Sequence, residues 1–324
     1  MTQTIQTVGL LSPGDMGHSV GQRLVEHGMR VITCLEGRSE RTRGLAREAG
    51  IADVPSYGDL VQEADLLLSI MVPAEAKNAA GKVAQAVMET GAELVYADCN
   101  AIAPQTVCQI ANILTATGAR FVDASIVGGP PRGESSPRLY ASGPDTSAFE
   151  ALAGYGLRVV VIGEEVGLAS ALKMCYGALT KGSSALYIEL LTAARALGVD
   201  EALAAEFRGS QAAMLQRMQR LPGVSMKSRR WVGEMEEIAK CFAGVGMTPR
   251  ILAGAADMSA MVLLLVVLLA AWLIKWYYWR FIDGQKVESD PGTATGLGHL
   301  GKVTQLEAPH TSENYLLKEM GFQV

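Results

Sequence analysis

Residues Ser12-Pro13-Gly14-Asp15-Met16-Gly17 close an apolar stretch, Thr4 to Leu11, and open a helical pattern, Val20 to His27. Strand, glycine turn and helix in that order constrain the fold more than any other feature of the chain. Glycines let backbone N–H groups approach phosphate oxygens, and the helix N-terminus adds partial positive charge, so a dinucleotide pyrophosphate fits there. Gly14 and Gly17 take the second and third glycine positions of G-x-G-x-x-G, while Ser12 holds the first. A second apolar stretch, Met29 to Leu35, ends at Glu36, nineteen residues after Gly17, where an acidic side chain reaches an adenosine ribose. For the glycines alone, a tight turn without a ligand is the plainer alternative.

A chain of 324 residues with 49% apolar and 19% charged residues is long and apolar enough for two cores and excludes a disordered protein. The net charge of −5 argues against a nucleic-acid partner. Five scattered cysteines without C-x-x-C spacing read as reduced thiols, with neither a disulfide framework nor a metal site. No signal-peptide pattern opens the chain, so the expected location is cytoplasmic. The four histidines are His18, His27, His299 and His310, so none falls between residues 28 and 298. Proton transfer in a central site therefore calls for another group.

Up to residue 165, strand and helix patterns alternate, which predicts a doubly wound α/β (Rossmann) domain with a parallel sheet covered on both faces. Helices are expected at Glu40 to Ala49, Ala74 to Thr90 and Gln105 to Thr117. Strands are expected at Ala64 to Pro73, Glu93 to Ala97, Ala119 to Asp123, Leu139 to Ser142 and Arg158 to Ile162. From Gly167 the pattern turns wholly helical: Leu168 to Leu197, then Glu201 to Arg220, then Arg229 to Val245. These divide the chain into a nucleotide-binding domain, 1–165, and an all-α second domain, 166–256.

Five segments in order resemble the 3-hydroxyacid dehydrogenase superfamily, whose members include 6-phosphogluconate and 3-hydroxyisobutyrate dehydrogenases. Val8 to Gly17, with Gly9, resembles the opening turn, and Val72-Pro73 the strand end beside the nicotinamide. Asp98 to Pro104, with Asn100, resembles the following turn. Asp123-Ala124-Ser125-Ile126-Val127-Gly128-Gly129 is similar to the substrate-binding loop, and Gly167 to Lys173 to the segment with the catalytic lysine. Lys173-Met174-Cys175-Tyr176 and Arg230 to Glu237 look closest to a less characterised branch with a phosphogluconate-dehydrogenase-like C-terminal domain. The resemblance implies an NAD(P)-dependent oxidoreductase that acts on a small hydroxy acid or related carbonyl compound and is a homodimer. It places the cofactor on Gly9, Ser12, Pro13, Gly14, Asp15, Met16, Gly17, Glu36, Val72, Pro73 and Asn100. The substrate falls on Ser125, Val127, Gly128, Gly129 and Gly177.

Lys173 read alone is a solvated helix lysine; beside a nicotinamide and partly desolvated, it is an acid/base. Two positions depart from the family pattern. Val127 stands where a serine usually helps hold the substrate carboxylate, and Gly177 where an asparagine is usual. Tyr176, Thr180 and Lys181 are the candidates to rebuild that pocket. Cofactor choice is split: Glu36 favours NAD, whereas Arg38, Ser39 and Arg41 form a clamp for a 2′-phosphate, and the balance leans to NADP.

Met258 to Ile274 is a run of seventeen residues without a charge, followed by Lys275-Trp276-Tyr277-Tyr278-Trp279-Arg280. Such a run with an aromatic and basic border predicts a single transmembrane helix over 257–280, which would tether the chain to the inner membrane through 258–279. The remaining tail, 281–324, is expected to be loosely structured. Residues 259–324 resemble the C-terminus of the membrane-anchor subunit of dimethyl-sulfoxide-reductase-type complexes.

Overall fold

The structure, a computed structural model, describes residues 5–133, 135–218, 221 and 228–262. Six strands run parallel: β1 (Thr7–Leu11), β2 (Arg30–Thr33), β3 (Ala52–Asp53), β4 (Leu66–Ser69), β5 (Val95–Asp98) and β6 (Arg120–Val127). They join β7 (Arg138–Ser142) and β8 (Arg158–Gly163) in one sheet of order β3-β2-β1-β4-β5-β6-β7-β8. The order reverses between β1 and β4, and a crevice opens there at the C-terminal strand ends.

Alternation along the strands sends side chains to two cores. Val8, Leu10, Leu66, Leu68, Val122 and Ala124 face one, beneath α1 (Gly17–Glu26). Leu11, Leu67, Tyr96 and Phe121 face the other, beneath α3 (Tyr57–Glu63), α4 (Pro73–Thr90) and α5 (Pro104–Thr115). Between them, β1, β4 and β5 are buried at every position, which is why these segments read as unbroken apolar runs.

Several expectations need correction. The sheet is mixed: β7 is antiparallel to β6, because the short connection through residues 128–137 carries no crossover helix. Ala124 to Val127, expected in the loop that follows a strand ending at Asp123, continue β6 and pair with β7, so the loop begins at Gly128. The strand expected to reach Pro73 ends at Ser69, and Pro73 instead opens α4, where its missing N–H costs nothing. Helix α3 was not read from the sequence at all, although Ser56 caps it by accepting the amide of Asp59 at 3.1 Å. The other Rossmann helices, α2 (Glu40–Glu48) and the single turn α6 (Ser147–Glu150), complete the cover.

The helical part opens with α7 (Leu168–Ala196), 29 residues long, as its periodicity predicts. The helix expected over Glu201 to Arg220 is broken into α8 (Asp200–Ser210) and α9 (Ala212–Met218), because Gln211 leaves helical geometry at φ −136° and ψ 39°. Then come α10 (Ser228–Gly244) and a helix over residues 250–262. Met174 and Ala185 of α7, Met235 and Ile238 of α10, and Leu252 and Ala255 of the last helix share a third core. Among the described residues no helix is long and apolar enough to cross a membrane. The expected spanning segment runs past residue 262, so most of it and the whole tail 281–324 lie outside the described residues.

Candidate cofactor and catalytic site

At the C-terminal end of β1 the chain turns sharply. Ser12 has φ +62°, the one non-glycine in the left-handed region among the described residues, and its carbonyl accepts the Gly14 amide at 2.7 Å. A Cβ on Gly17 would stand 2.6 Å from that same carbonyl, so this position tolerates only glycine. His18 locks the turn further, with Nδ1 2.7 Å from the Gly14 carbonyl. No side chain caps α1 and no acidic residue occupies its first turn. The helix N-terminus and its N–H groups are thus presented to an anion, and the residues fit a pyrophosphate.

Of the other expected cofactor residues, Gly9 sits inside β1, where a Cβ would meet the Leu67 side chain at 2.6 Å. Pro13 is buried, Met16 packs on the first core, and Asp15 is exposed and ion-paired to Arg41. Glu36 and Arg38 line a cleft faced by Tyr57, Glu75 and Asn78. The loop carrying them is pinned by Arg43, which donates to the Leu35 carbonyl at 2.6 Å and the Arg38 carbonyl at 3.3 Å. Ser39 caps α2 through the Thr42 amide at 3.3 Å. The expected clamp is therefore divided: Arg38 faces the cleft, while Ser39 and Arg41 have partners of their own.

Beyond β4, Val72 is 46% exposed at the rim of the crevice, next to Pro73. Asn100, expected to touch the cofactor, is buried. Its Oδ1 accepts the Met71 amide at 2.6 Å and its Nδ2 donates to Ser69 Oγ at 2.9 Å. Its place is behind Met71 and Val72, holding them in position.

Lys173 lies on the face of α7 that covers β6, and its Nζ donates to the carbonyl of Ile126. That carbonyl is near the C-terminal end of β6, on the same sheet edge as the glycine turn and Val72. Burial pushes the Lys173 ammonium down to about 8; the Lys181 and Arg230 cations push the same way, against Glu234. The long helix is fastened at its start by Asp123, which accepts the amides of Gly167 and Ser170 at 2.9 and 3.0 Å.

Ser125 shares the strand face of Asp123, and its buried Oγ has no hydrogen-bond partner among the described residues. Val127 is buried, whereas Gly128 and Gly129 are exposed where the chain leaves the strand, with Gly128 at φ +130°. Gly177 is buried under Ile238: a Cβ there would meet the Ile238 side chain at 2.9 Å and the Lys181 Nζ at 3.7 Å. A larger residue would have to displace the end of the Ile238 side chain. Of the three candidates to rebuild the pocket, Tyr176 is 46% exposed and Thr180 bonds back to the Tyr176 carbonyl at 3.0 Å. Lys181 alone turns inward, to pair with Glu234.

Sequence reasoning did not single out Asp98, Asp123 or Glu237. Asp98 and Asp123 are register partners on β5 and β6. Burial raises both carboxyls, Asp98 to about 7, with the Asp123 charge adding to that shift. A carboxylate ending an apolar strand was the available signal. Glu237 of α10 accepts the Ala103 amide and the Thr106 hydroxyl, each at 2.7 Å, and so clasps the start of α5. Its periodicity marks only a helix face, which hides that contact.

Residues 5–155 match the NAD binding domain of 6-phosphogluconate dehydrogenase, and residues 194–262 match a domain of unknown function (DUF1932). Neither match extends past residue 262, and the likeness of residues 259–324 to a membrane-anchor subunit is unsupported. An uncharacterized 28.5 kDa protein in the 7S RNA 5′ region of Methanothermus fervidus is 30% identical over 245 residues, covering 75% of this chain and 93% of that one. The conserved protein MTH1747, of unknown function and described as structurally similar to 3-hydroxyacid dehydrogenases, superposes with a TM-score of 0.61 at 31% identity, covering 80% of this chain and 98% of its own. The fold is also that of 3-hydroxyisobutyrate dehydrogenase from Mycobacterium tuberculosis, with a TM-score of 0.60 and 16% identity over 80% of this chain and 94% of that one. The chain belongs to the 3-hydroxyacid dehydrogenase superfamily, in the branch that joins a 6-phosphogluconate-dehydrogenase-type NAD-binding domain to a DUF1932 domain.

Proposed function

We propose that the protein is an NAD(P)-dependent oxidoreductase acting on a small hydroxy acid or related carbonyl compound, with Lys173 as acid/base. The observation that carries this reading is the half-buried Lys173 ammonium, held by the Ile126 carbonyl on the sheet edge that bears the glycine turn. When bound, the nicotinamide supplies or accepts the hydride. The turn Ser12–Gly17 and the N-terminus of α1 hold the pyrophosphate, and Val72 and Pro73 border the crevice. In oxidation Lys173 Nζ, neutral, takes the hydroxyl proton; in reduction, protonated, it returns one to the carbonyl oxygen. A lysine pushed down to about 8 holds both forms near neutral pH, which suits either direction.

NADP is the proposed cofactor, with Arg38 at the 2′-phosphate and Glu36 as the feature that favours NAD. The proposed setting is a cytoplasmic homodimer. The apolar run past residue 262 adds a tether to the inner membrane, which retention of the full chain in a detergent phase checks. Titration of the full chain with NADH and NADPH side by side tests the cofactor. Replacing Lys173 with Met should abolish turnover while leaving cofactor affinity intact. Turnover at the wild-type rate in that variant overturns the lysine's role. Absence of any cofactor binding overturns the whole reading.

A further inference from the structure

The turn between β5 and α5 belongs to both domains. At its start, Asp98 Oδ1 accepts the Asn100 amide, and the Asn100 side chain holds the Met71 amide and Ser69 Oγ at the end of β4. At its end, Ala103 lies in the third core beside Met174, Met235 and Ile238, and Ala101 packs against that core. Ala103 is also the N-cap of α5, where an alanine offers no side-chain acceptor. In a capping box, a glutamate or glutamine three positions on reaches back to the N-cap amide. That position is Thr106, and the carboxylate comes instead from Glu237 of α10, 134 residues from Ala103. Glu237 Oε2 accepts both the Ala103 amide and the Thr106 hydroxyl at 2.7 Å, and the Thr106 oxygen in turn accepts Lys240 Nζ at 2.7 Å. The helix dipole favours a carboxylate there from any source. A local serine or aspartate would cap α5 equally well, so what the distant carboxylate adds is a link between the domains.

We infer that Glu237 is a positioning residue, through which the helical domain sets the nicotinamide end of the cofactor crevice. This rests on the reading of the crevice as a cofactor site. The path is short: Glu237 fixes Ala103, the turn fixes Asn100, and Asn100 fixes Met71 beside the exposed Val72. Every bond along it is buried or partly buried, so water does not freely replace a lost partner. The adenosine end is built without this path. The glycine turn closes on its own backbone, with the Gly14 amide on the Ser12 carbonyl, and Arg43 pins the loop of Arg38. Met174, next to Lys173, shares the third core with Ala103, so one seating of α10 serves the lysine and the crevice wall together.

The test compares two ligands on the full chain by calorimetry: NADPH, and 2′,5′-ADP, which keeps the adenosine end and lacks the nicotinamide. NADH and ADP replace that pair if the chain prefers NAD. Glu237→Ala should weaken NADPH at least tenfold and leave 2′,5′-ADP within about twofold of the wild type. Glu237→Gln, which keeps an acceptor for the Ala103 amide, should recover most of the NADPH affinity. Asn100→Ala should show the same selective loss. The double variant Glu237→Ala/Asn100→Ala should be no weaker than the weaker single one, since both act on one path. Thr106→Val removes one bond only and carries the comparison if Glu237→Ala does not fold, with a loss of about threefold confined to NADPH. Unchanged NADPH affinity, or a loss that falls equally on both ligands, overturns the positioning role. Failure of the wild type to bind either ligand would instead overturn the cofactor reading.

Discussion

The carboxylate of Asp123 holds Ser170 twice, taking its amide at 3.0 Å and its hydroxyl at 2.7 Å. It also accepts the Gly167 amide at 2.9 Å and the Ser142 hydroxyl at 3.2 Å. A negative charge thereby sits on the first turn of α7, where unsatisfied N–H groups and the helix dipole favour it. Lys173 follows Ser170 by three residues, so the anchor of the helix is also the anchor of the proposed acid/base.

Asp123→Ala should therefore strand several buried donors and cost about 3 kcal/mol of stability. It should also lower kcat more than it weakens NADPH, because the glycine turn lies at the end of a different strand. Asp123→Asn, which keeps the shape and one acceptor, should cost less. Thermal melts and steady-state kinetics check both; an Ala variant that melts and turns over like the wild type would break the link.

The pH profile carries the second expectation. In the proposed reaction, oxidation needs the neutral amine of Lys173, so kcat/KM in that direction should rise with pH through an inflection near 8. Glu234 holds the proton on Lys173, so Glu234→Gln should move the inflection to lower pH. Lys181 repels that proton, so Lys181→Met should move it to higher pH. Opposite displacements from two partners of one ion pair separate an electrostatic role from simple misfolding, which would move both variants alike.

Much of this arrangement was legible because periodicity and glycine chemistry are local. The strand, turn and helix from Thr7 to Glu26 and the long run of α7 follow from short stretches read on their own. Strand β6 is cut short after Asp123 because Ser125 and the glycines beyond it look like a loop, whereas the polar groups of Asp123 and Ser125 are satisfied or sheltered only after α7 folds over them. The same holds for Asn100, whose chemistry points to a ligand while its partners, Met71 and Ser69, come from the neighbouring strand end. Lys181 and Glu234 stand far apart in sequence, and nothing local reveals that they meet.

The glycine turn gives a steric prediction. Gly17→Ala places a methyl group 2.6 Å from the Ser12 carbonyl, a distance the turn can relieve only by opening. NADPH affinity should fall at least tenfold, about 1.4 kcal/mol, with a small change in melting temperature. Ser12→Gly is the contrasting variant, since it removes the strain of φ +62° and should keep the affinity. Fluorescence titration with NADPH compares the two, and equal affinities for both variants would mean the pyrophosphate lies elsewhere.

Asp98 supplies the last expectation. The residue is 1% exposed, Oδ1 accepts the Asn100 amide at 2.9 Å, and Oδ2 has no hydrogen-bond partner among the described residues. Burial raises its pKa to about 7, above the 3.8 of an ordinary aspartate. Folding thus favours the protonated form: the stabilisation is full below about pH 4 and is lost as the pH climbs toward 7. Asp98→Asn is neutral at every pH and keeps the Oδ1 acceptor. It should melt with the wild type near pH 4 and be more stable, by about 4 kcal/mol, at pH 8. A variant destabilised equally at both pH values would show instead that Asp98 is needed for its shape and not for its proton.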